Sequence, residues 1–423
     1  MPFGDREIQY SHQKNFLKNI LNQLKMTRKF ALLFLVAMAW FACTKTEQAP
    51  TTTVQNLTVE NATVHKRIVL KQAGDGGRFL SNKNFAYHPG DTLVLSGSWT
   101  YCTLDGICGV PGAPVVLINQ GGQVHLTSGF SFTNCRYLKL LGTGSTNKYG
   151  FLVSVSANDG VAITITGRSS HIEVSNVDVY NKTYGYWVKQ EASCIDSLQF
   201  PNWTINHINI HDGRIRKSNQ EGMYLGSTDP NGIRAISCNG NIIYPKPLRL
   251  AYIKVHDMII DSTYRSGIQL SCASRGENNI FNNTITNCGY EYVSNGQGSG
   301  ISLGGYTQAN IYNNTINNTY TMGISSLGAG LVSIYNNSVK NSGILSGHRV
   351  PGMASIMIDT RNTNPADSTT FKIKDNVLGV NTDVNIRVYK TYPTYTKRNI
   401  ICNNGSSTMG IVSGIKWVNC NGK

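Results

Sequence analysis

A four-residue phrase recurs through the second half of this 423-residue chain. It reads Asn-Asn-Thr-Ile at residues 282–285 and 313–316, Asn-Asn-Ser-Val at 336–339 and, more faintly, Asp-Asn-Val-Leu at 375–378. An amide side chain both donates and accepts hydrogen bonds, so asparagines stacked one strand spacing apart, about 4.8 Å, can bond in a continuous ladder. The phrase therefore predicts a solenoid in which each copy marks one coil.

The repeat can be phased further upstream. Taking the second residue of each pair as the marker gives a file of seven residues: Asn176, Asp212, Asp257, Asn283, Asn314, Asn337 and Asn376. The residues before them form a second file: Ser175, His211, His256, Asn282, Asn313, Asn336 and Asp375. A short strand that begins with glycine follows five of the markers, at Gly185, Gly222, Gly267, Gly300 and Gly323. These strands alternate large apolar residues with polar or aromatic ones, as half-buried strands do.

The spacing of these glycines sets the repeat length. Successive intervals are 37, 45, 33 and 23 residues, so the shortest interval is one coil and the excess in the others is loop. A period near 23 residues with short strands and no helical pattern excludes helical repeats. A leucine-rich repeat lacks its regular Leu positions here. The chain is therefore predicted to be all-β, with one domain, a right-handed parallel β-helix over residues 65–423 that carries loop insertions and terminal caps.

The first 64 residues are predicted to lie outside this domain. Residues 1–25 are a miscalled start or an extended charged region, and residues 26–42 have the charged start and short apolar run of a signal peptide, too short for a transmembrane span. The sequence Trp-Phe-Ala-Cys ending at Cys43 resembles the lipobox of bacterial lipoproteins, although Trp40 replaces the usual aliphatic residue. That resemblance implies a lipid on Cys43, export, and anchoring to the outer membrane or cell surface. Residues 43–64, rich in Thr, Gln and Pro, are predicted to be a flexible tether.

The net charge of the chain indicates which class of molecule it is expected to bind. Residues 43–423 keep 32 Lys and Arg against 21 Asp and Glu, a net charge of +11. In an exported solenoid, such a surplus favours acidic polysaccharides or other anionic surface polymers, through long-range attraction. No nucleic-acid-binding motif occurs in the sequence, so nucleic acid is not an expected partner. The domain is expected to be a monomer.

The cysteines suggest disulfides in an oxidising compartment. Cys102 with Cys108, and Cys402 with Cys420, are close enough in sequence to close small loops. Four others, Cys194, Cys238, Cys272 and Cys288, are equally suited to burial in the stack, where cysteine behaves as a small apolar residue. No spacing resembles a zinc site. The segments near 65–90 and 400–423 are expected to cap the ends of the solenoid.

Phasing also predicts which distant residues are neighbours. Three successive coils should bring six side chains onto one exposed face: Trp187, Lys189, Glu221, Tyr224, Arg265 and Gln269. Aromatic rings stack on sugars, amides and carboxylates bond hydroxyls, and cations neutralise uronate groups, so this set predicts a sugar-binding groove. The alternative is that the aromatic residues merely pack under the insertions 190–206 and 227–248.

These repeats resemble the right-handed parallel β-helix superfamily, which includes pectate, alginate and chondroitin lyases and polygalacturonase-type hydrolases. The resemblance implies activity on an acidic polysaccharide, most plausibly β-elimination by a lyase. In that chemistry a base removes the proton α to the uronate carboxyl, and a cation or calcium neutralises the developing enolate. The paired-Asp and Gly-His-Gly arrangement of the hydrolases is missing, which counts against a glycoside hydrolase.

The resemblance implies roles for the candidate residues, although no catalytic signature of the superfamily matches this sequence residue by residue. Arg265 is the first candidate base and Lys189 the alternative, with Tyr224 as acid and Glu221 as orienting group or calcium ligand. Trp187, Gln269, Arg214 and Lys217 are the candidate substrate-binding residues. Calcium is the one cofactor left open, and no other metal is predicted.

A second cluster lies at the turns, where His211 and Asp212 should stack against His256 and Asp257. Such a group could titrate near neutrality or bind a metal, but turn residues that hydrogen-bond the backbone explain it better. Three other functions stay open for the protein: a non-catalytic glycan-binding or adhesion module, a glycoside hydrolase of the β-helix type, and a purely structural surface protein.

Overall fold

In the computed structural model, one compact unit spans Val64–Lys423. The residues described are 65–155, 159–232, 234–293, 297–327, 330–359 and 369–389, together with the strands at 400–402, 409–411 and 416–417. Cys43 and the rest of the predicted leader and tether lie outside this range. Among the described residues, no helix has the length and apolar character needed to cross a membrane.

Parallel strands dominate the unit, and they form three ladders that we call sheets 1, 2 and 3. Sheet 1 pairs strands in the order β1 (Arg67–Val69), β3 (Thr92–Leu95), β5 (Val115–Asn119), β7 (Arg136–Leu141), β10 (Ser170–Ser175), β13 (Thr204–His211), β18 (Arg249–His256), β22 (Asn279–Phe281), β25 (Ala309–Tyr312), β28 (Gly330–Tyr335), β33 (Thr369–Lys374), β36 (Ile400–Cys402) and β38 (Lys416–Trp417). One short strand, β21 (Ala273–Arg275), also pairs with β18.

Sheets 2 and 3 share two long strands, β4 (Ser98–Asp105) and β6 (Val124–Thr133), which run through both ladders. Sheet 2 continues through β8 (Phe151–Ser154), β11 (Val177–Tyr180), β14 (Arg214–Ser218), β19 (Ile259–Thr263), β23 (Thr284–Cys288), β26 (Thr315–Thr319), β29 (Ser338–Ser342) and β34 (Val377–Asn381). Sheet 3 contains β2 (Arg78–Ser81), β9 (Val161–Thr166), β12 (Tyr184–Val188), β15 (Met223–Leu225), β20 (Ile268–Leu270), β24 (Ile301–Leu303), β27 (Ile324–Ser326), β32 (Ile356–Asp359), β35 (Ile386–Tyr389) and β37 (Met409–Ile411).

The chain visits sheets 1, 2 and 3 in turn, and each circuit is one coil. Alternate residues of all three sheets point into a shared core: Val174 from sheet 1, Val179 from sheet 2 and Val188 from sheet 3 are all fully buried in one cluster. Every strand pair between coils is parallel, which makes the fold a parallel β-helix. The predicted fold class is confirmed. Two antiparallel hairpins project from the coils, β16 (Ile236–Cys238) with β17 (Asn241–Ile243), and β30 (Ile344–Leu345) with β31 (His348–Arg349).

The predicted asparagine ladder exists in the second half of the domain. Asn283, Asn314, Asn337 and Asn376 are buried, and each Nδ2 donates to the Oδ1 of the next at 2.9 Å. The backbone N–H of Asn283 and of Asn314 also donates to that same Oδ1, at 3.1 and 3.0 Å. Every amide is thus paired in a position from which water is excluded, where an unpaired polar group would be costly.

The upstream register is wrong by one residue. His256 pairs with Phe281 rather than with Asn282, so Asp257 stands level with Asn282, the first asparagine of its pair. Residues at this level all have positive φ: Asn176, Asp212, Asp257, Asn282, Asn313, Asn336 and Asp375. Asn and Asp are the non-glycine residues that tolerate this left-handed conformation best, so the turn and the ladder select the same residue types at adjacent positions.

Five successive sheet 3 strands, β12 to β27, have a glycine within one residue of their start, which packing requires rather than its own backbone angle. A Cβ on Gly185 would lie 2.5 Å from the carbonyl oxygen of Gly222, and one on Gly222 would lie 2.6 Å from that of Gly267. The same contact links Gly267 to Gly300 and Gly300 to Gly323, each at 2.8 Å. Any larger residue would push neighbouring coils apart. The register predicted from these glycines is confirmed, with Trp187 opposite Tyr224 and Tyr224 opposite Gln269.

The outer face of sheet 1 carries stacked rings. His211, His256, Phe281, Tyr312 and Tyr335 follow one another with centroids 4.6 to 5.0 Å apart and planes within 12° of parallel. This distance is the spacing between neighbouring strands, so the sheet itself imposes the stacking. The predicted stacking of His211 on His256 is confirmed, and each imidazole Nδ1 lies within hydrogen-bond distance of the carboxylate of the following aspartate.

Two expectations about the cysteines need correction. Cys102 and Cys108 are both free, whereas Cys194 and Cys238 form a disulfide between two long insertions. Cys272 and Cys288 are buried thiols, as predicted. The segment expected to cap the first coil contributes β1 and β2 to sheets 1 and 3. Cys420, and therefore its predicted bond to Cys402, lies outside the described residues.

Candidate functional site

A cleft of about 540 Å³ opens on the outer side of sheet 3. Its base is formed by β12 and β15, and its walls come from the two insertions that follow these strands, residues 190–203 and 226–248. The disulfide Cys194–Cys238 ties the two insertions to each other. The insertions therefore border a cavity above Trp187 and Tyr224 rather than filling it.

Aromatic rings and one ammonium group form the base of the cleft. Trp187 and Tyr224 meet edge to face at 4.9 Å, and Tyr184 lies 4.9 Å from Trp187 and 6.1 Å from Tyr224. The Nζ atom of Lys189 lies 4.4 Å from both the Trp187 and the Tyr224 ring centroids. Both rings are half-buried, so part of each remains open to the cleft. The cation is held by the electron-rich faces of the rings, which fixes all three side chains together.

Polar groups from the insertions complete the rim. The Lys189 ammonium pairs with Glu191 at 2.9 Å, and the other oxygen of Glu191 lies 3.7 Å from the Arg234 guanidinium. Tyr224 bonds through its hydroxyl to Thr228 at 3.1 Å, and Asp229 also faces the cleft. An aromatic base with a few converging polar groups is the usual composition of a small-ligand site.

Glu221 lies one coil beyond Tyr184, against the same face. The residue is only 3% exposed, and its Oε2 has no hydrogen-bond partner among the residues that the structure describes. Burial raises the pKa of this carboxyl, which favours its neutral form, while the nearby Arg265 opposes the shift. A buried carboxyl with a raised pKa is the type of group that exchanges protons in active sites, although structural networks also produce such shifts.

Arg265 is held in an ion pair. Its Nε and one terminal nitrogen donate to the two carboxylate oxygens of Glu291, at 2.6 and 3.2 Å. This bond raises the pKa of Arg265 further, so the guanidinium stays protonated. A proton acceptor must be deprotonated, and the pairing therefore argues against Arg265 as the base predicted from the sequence. The geometry makes it a fixed positive charge beside Glu221.

Gln269 occupies the predicted position, directly beside Tyr224 in the next coil. It is buried, and its Nε2 has no partner among the described residues. Beyond it the file continues with Ser302 and Ser325, whose hydroxyls bond each other at 3.2 Å. Of the six side chains phased onto one exposed face, Trp187, Lys189 and Tyr224 line the cleft. The other three, Glu221, Arg265 and Gln269, are not among its lining residues, and Glu221 and Gln269 are buried rather than exposed.

Arg214 and Lys217 lie elsewhere, both in β14 of sheet 2. Arg214 and Arg216 both bind the buried Asp178 through two bonds each, and the shortest of these measure 2.6 and 2.7 Å. Arg214 is therefore committed to a structural ion pair, and neither it nor Lys217 lines the sheet 3 cleft. Their predicted part in the same groove is not supported by their position.

Several cleft residues escaped the sequence analysis because they belong to insertions without a repeat. These are Glu191, Thr228, Asp229, Arg234, Pro245 and Pro247. The only signal in the sequence was the pair of long intervals after Gly185 and Gly222. Among the described residues, no group of three or more His, Cys, Asp or Glu side chains is arranged to hold a metal ion, so the structure selects no ligand set for calcium.

Comparison with known proteins identifies no family for this chain. No protein-family model and no curated protein matches it. Among solved structures it is similar to the A-module of a mannuronan C-5 epimerase from Azotobacter vinelandii, at 11% identity and a TM-score of 0.38, covering 78% of this chain and 90% of that one. A mannuronic acid specific polysaccharide family 6 lyase from human gut microbiota matches at 12% identity and a TM-score of 0.34, covering 84% and 91%.

A third similar structure is a lacto-N-biosidase from Eubacterium ramulus, with 9% identity and a TM-score of 0.40, covering 78% of this chain and 64% of that one. All of these TM-scores are below 0.5, so the similarity assigns no function to this chain.

Proposed function

We propose that this protein is a carbohydrate-active β-helix protein that binds a glycan in the sheet 3 cleft. The observation that carries the proposal is the arrangement of Trp187, Tyr224 and Lys189, with two half-buried rings fixed by one ammonium group at 4.4 Å. Sugar rings present C–H faces that pack on aromatic faces, and their hydroxyls need both donors and acceptors at the rim. Thr228, Asp229 and Glu191 supply those groups.

The preferred ligand is an acidic polysaccharide. The domain and tether carry a net charge of +11, which attracts polyanions over distances longer than any one contact. Inside the cleft, Arg234 is 74% exposed at the mouth, and its ion pair with Glu191 is long enough for a ligand carboxylate to compete for the guanidinium. An incoming uronate would then gain charge-assisted bonds at the rim while its ring packs on the base.

Cleavage by β-elimination is the second candidate function, and one observation favours it. Tyr224, whose hydroxyl faces the cleft, lies next to the Lys189 ammonium, so an ionisable phenol and a cation meet at the sugar-binding surface. In this scheme Tyr224 is the acid that protonates the leaving oxygen, and Arg234 is the cation that neutralises the uronate carboxyl. Lys189 acts as the base only after the substrate displaces its ion pair with Glu191 and the ammonium loses its proton, because only the neutral amine accepts one. The elimination would leave a double bond in the new non-reducing sugar.

One assay separates the two functions. The purified protein is incubated with alginate, pectate and glycosaminoglycans, with and without calcium, while ultraviolet absorbance of unsaturated products is followed and binding is measured by calorimetry. Binding with a rise in absorbance supports a lyase, and binding without it supports a non-catalytic module. If none of these polymers binds, the proposal fails. A double replacement of Trp187 and Tyr224 by Ala, with the fold checked by circular dichroism, should remove the contribution of this cleft and so weaken the binding.

The leader adds a proposal about location. The charged start, short apolar run and Ala-Cys junction support export and lipid attachment at Cys43. A lipid-anchored monomer would present its cleft to polymers at the cell surface. Detergent phase partitioning and mass spectrometry of the native protein and its Cys43→Ser variant test this, because only the native protein should enter the detergent phase.

A further inference from the structure

A second cleft, of about 490 Å³, lies against sheet 2 and the turns that lead from it to sheet 3. Four tyrosines line it: Tyr180, Tyr264, Tyr290 and Tyr292. Three of them are unusually exposed for aromatic residues, Tyr180 by 38%, Tyr264 by 41% and Tyr292 by 38%. The sheet 3 cleft shares none of these residues, so the two concavities are formed by different parts of each coil.

The tyrosines are held in place by neighbouring side chains. Tyr290 packs between Tyr264 and Tyr292, at 6.5 and 6.1 Å, and its hydroxyl meets that of Ser346 at 3.1 Å. Tyr292 packs on His348 at 4.4 Å. Ser346 and His348 belong to the hairpin formed by β30 and β31, so this hairpin supports two rings of the cleft from behind. Fixed rings lose little conformational freedom when a ligand packs on them.

Charge gives the cleft a preference for anions. Lys217 is exposed at its edge, 5.9 Å from the centre of the Tyr180 ring, and it forms no ion pair with any residue in the described parts of the chain. Arg216 packs on the same ring at 5.1 Å and shares Asp178 with Arg214. Of the residues that line the cleft, Arg216 and Lys217 are cationic and Asp261 is acidic. The Asp261 carboxylate accepts bonds from Ser262, Thr286 and Asn287. Two cations against one carboxylate give the lining a formal net charge of +1.

We infer that this four-tyrosine cleft is a second saccharide-binding site, separate from the sheet 3 cleft, which takes an anionic sugar unit with its ring on the tyrosines and its acidic group against Lys217. Tyrosine faces supply the apolar contact and their hydroxyls bond those of the sugar. The volume suits one or two sugar units. A polymer that reaches both clefts would bind more tightly than at either alone, through a raised effective concentration.

The test uses the full protein carrying Trp187→Ala and Tyr224→Ala, so that only the second cleft contributes. Calorimetry measures binding of trigalacturonate, a heparin-derived tetrasaccharide and neutral maltotriose, which separates carboxylate, sulfate and uncharged ligands. We expect at least one anionic ligand to bind, and Tyr264→Ala in this background to weaken it by tenfold or more. Lys217→Ala should weaken only the anionic ligand and flatten its salt dependence. Tyr264→Phe, which keeps the ring, should retain most of the affinity.

Three results would overturn the inference. They are loss of all saccharide binding in the Trp187→Ala, Tyr224→Ala background, binding that Tyr264→Ala leaves unchanged in a protein with a native circular dichroism spectrum, and maltotriose binding as tight as that of both anions. The proposal for the sheet 3 cleft fails on a different result, namely unchanged binding when Trp187 and Tyr224 are replaced in the otherwise native protein.

Discussion

The imidazole planes of His211 and His256 lie 1° from parallel, with centroids 4.8 Å apart. They differ in what they contact on the sheet surface. His211 Nε2 faces the Glu173 carboxylate at 3.4 Å, whereas His256 Nε2 faces the amide oxygen of Asn209 at 3.1 Å. One histidine of the stack is therefore placed between two carboxylates and the other beside only one.

This placement predicts the titration of His211. Bonds to Glu173 and Asp212 raise the pKa of His211, and the same contact with His211, assisted by Lys139, lowers the pKa of Glu173 to about 2. A raised folded-state pKa means that the imidazolium stabilises the fold below pH 6.5 and that this contribution is lost as pH rises through the higher folded value. An NMR titration should give His211 a pKa above the ordinary value of 6.5. It should give His171, whose pKa burial lowers, a pKa below that value.

Replacing the Glu173 carboxylate tests whether it is the cause of the raised pKa of His211. Glu173→Gln should return His211 towards its ordinary pKa and leave His171 unchanged. A His211 titration that does not move in this variant would show that Glu173 is not responsible.

Glu221 should make the protein less stable as pH rises. Burial raises its pKa, so the fold is favoured when this carboxyl is protonated. The contribution is complete below the unfolded value of about 4.3 and declines until pH passes the folded value. We expect Glu221→Gln to have a higher midpoint of thermal unfolding than the native protein at pH 7 and a similar one at pH 4.

The ion-paired Glu291 provides the control for that measurement. Glu291→Gln removes a bidentate partner of Arg265 and should lower the midpoint at pH 7. If both variants shift the midpoint in the same direction, the burial argument for Glu221 is incorrect.

The buried ladder that contains Asn314 should contribute more to the free energy of unfolding than a second row of bonded asparagines that contains Asn318. Asn314→Ala removes from the core the acceptor of both the backbone N–H and the Nδ2 of Asn283, which should cost about 3 kcal/mol in free energy of unfolding. Asn318 also bonds its neighbours along the coils, to Asn287 and Asn341, but it is only partly buried. Asn318→Ala should cost about 1 kcal/mol or less. Urea unfolding of both variants measures the difference, and equal losses would contradict it.

The disulfide should affect affinity as well as stability. Cys194 and Cys238 join the two insertions that wall the sheet 3 cleft, across 44 residues. Replacing both by Ser should cost about 2–4 kcal/mol in the unfolding of this region and weaken glycan binding by about tenfold, because the walls lose their mutual restraint. Binding to the four-tyrosine cleft provides the control and should not change.

How much of the fold the sequence predicts depends on how many physical causes can produce each residue pattern. The Gly-led strands were phased correctly because close packing of Gly185 against the carbonyl of Gly222 permits one residue type, so the signal has one meaning. The asparagine file was misaligned before Asn283 because a left-handed turn and a buried ladder both select Asn. Asp212 and Asp257 satisfy the turn, while Gly213 and Met258 occupy the ladder level.

The candidate site also has one part that the sequence predicts and one part that it does not. Trp187, Tyr224 and Gln269 could be predicted as neighbours because they belong to the repeat. Arg234 and Asp229 could not, since an insertion has no register from which to derive its contacts. The pairing of Arg265 with Glu291 was missed for a similar reason, because Glu291 lies in the long turn between β23 and β24.

The contact between successive glycines has a consequence for how such a chain can change in length. Residues 301–323 comprise one strand from each sheet, β24, β25 and β26, and end on the next glycine of the file. Removing them would bring β20 against β27 and Asn283 against Asn337, with every ladder still continuous. A change of a few residues within the same interval would leave one ladder out of step with the other two. Whole coils are therefore the unit in which this architecture can be lengthened or shortened, while its insertions vary freely between them.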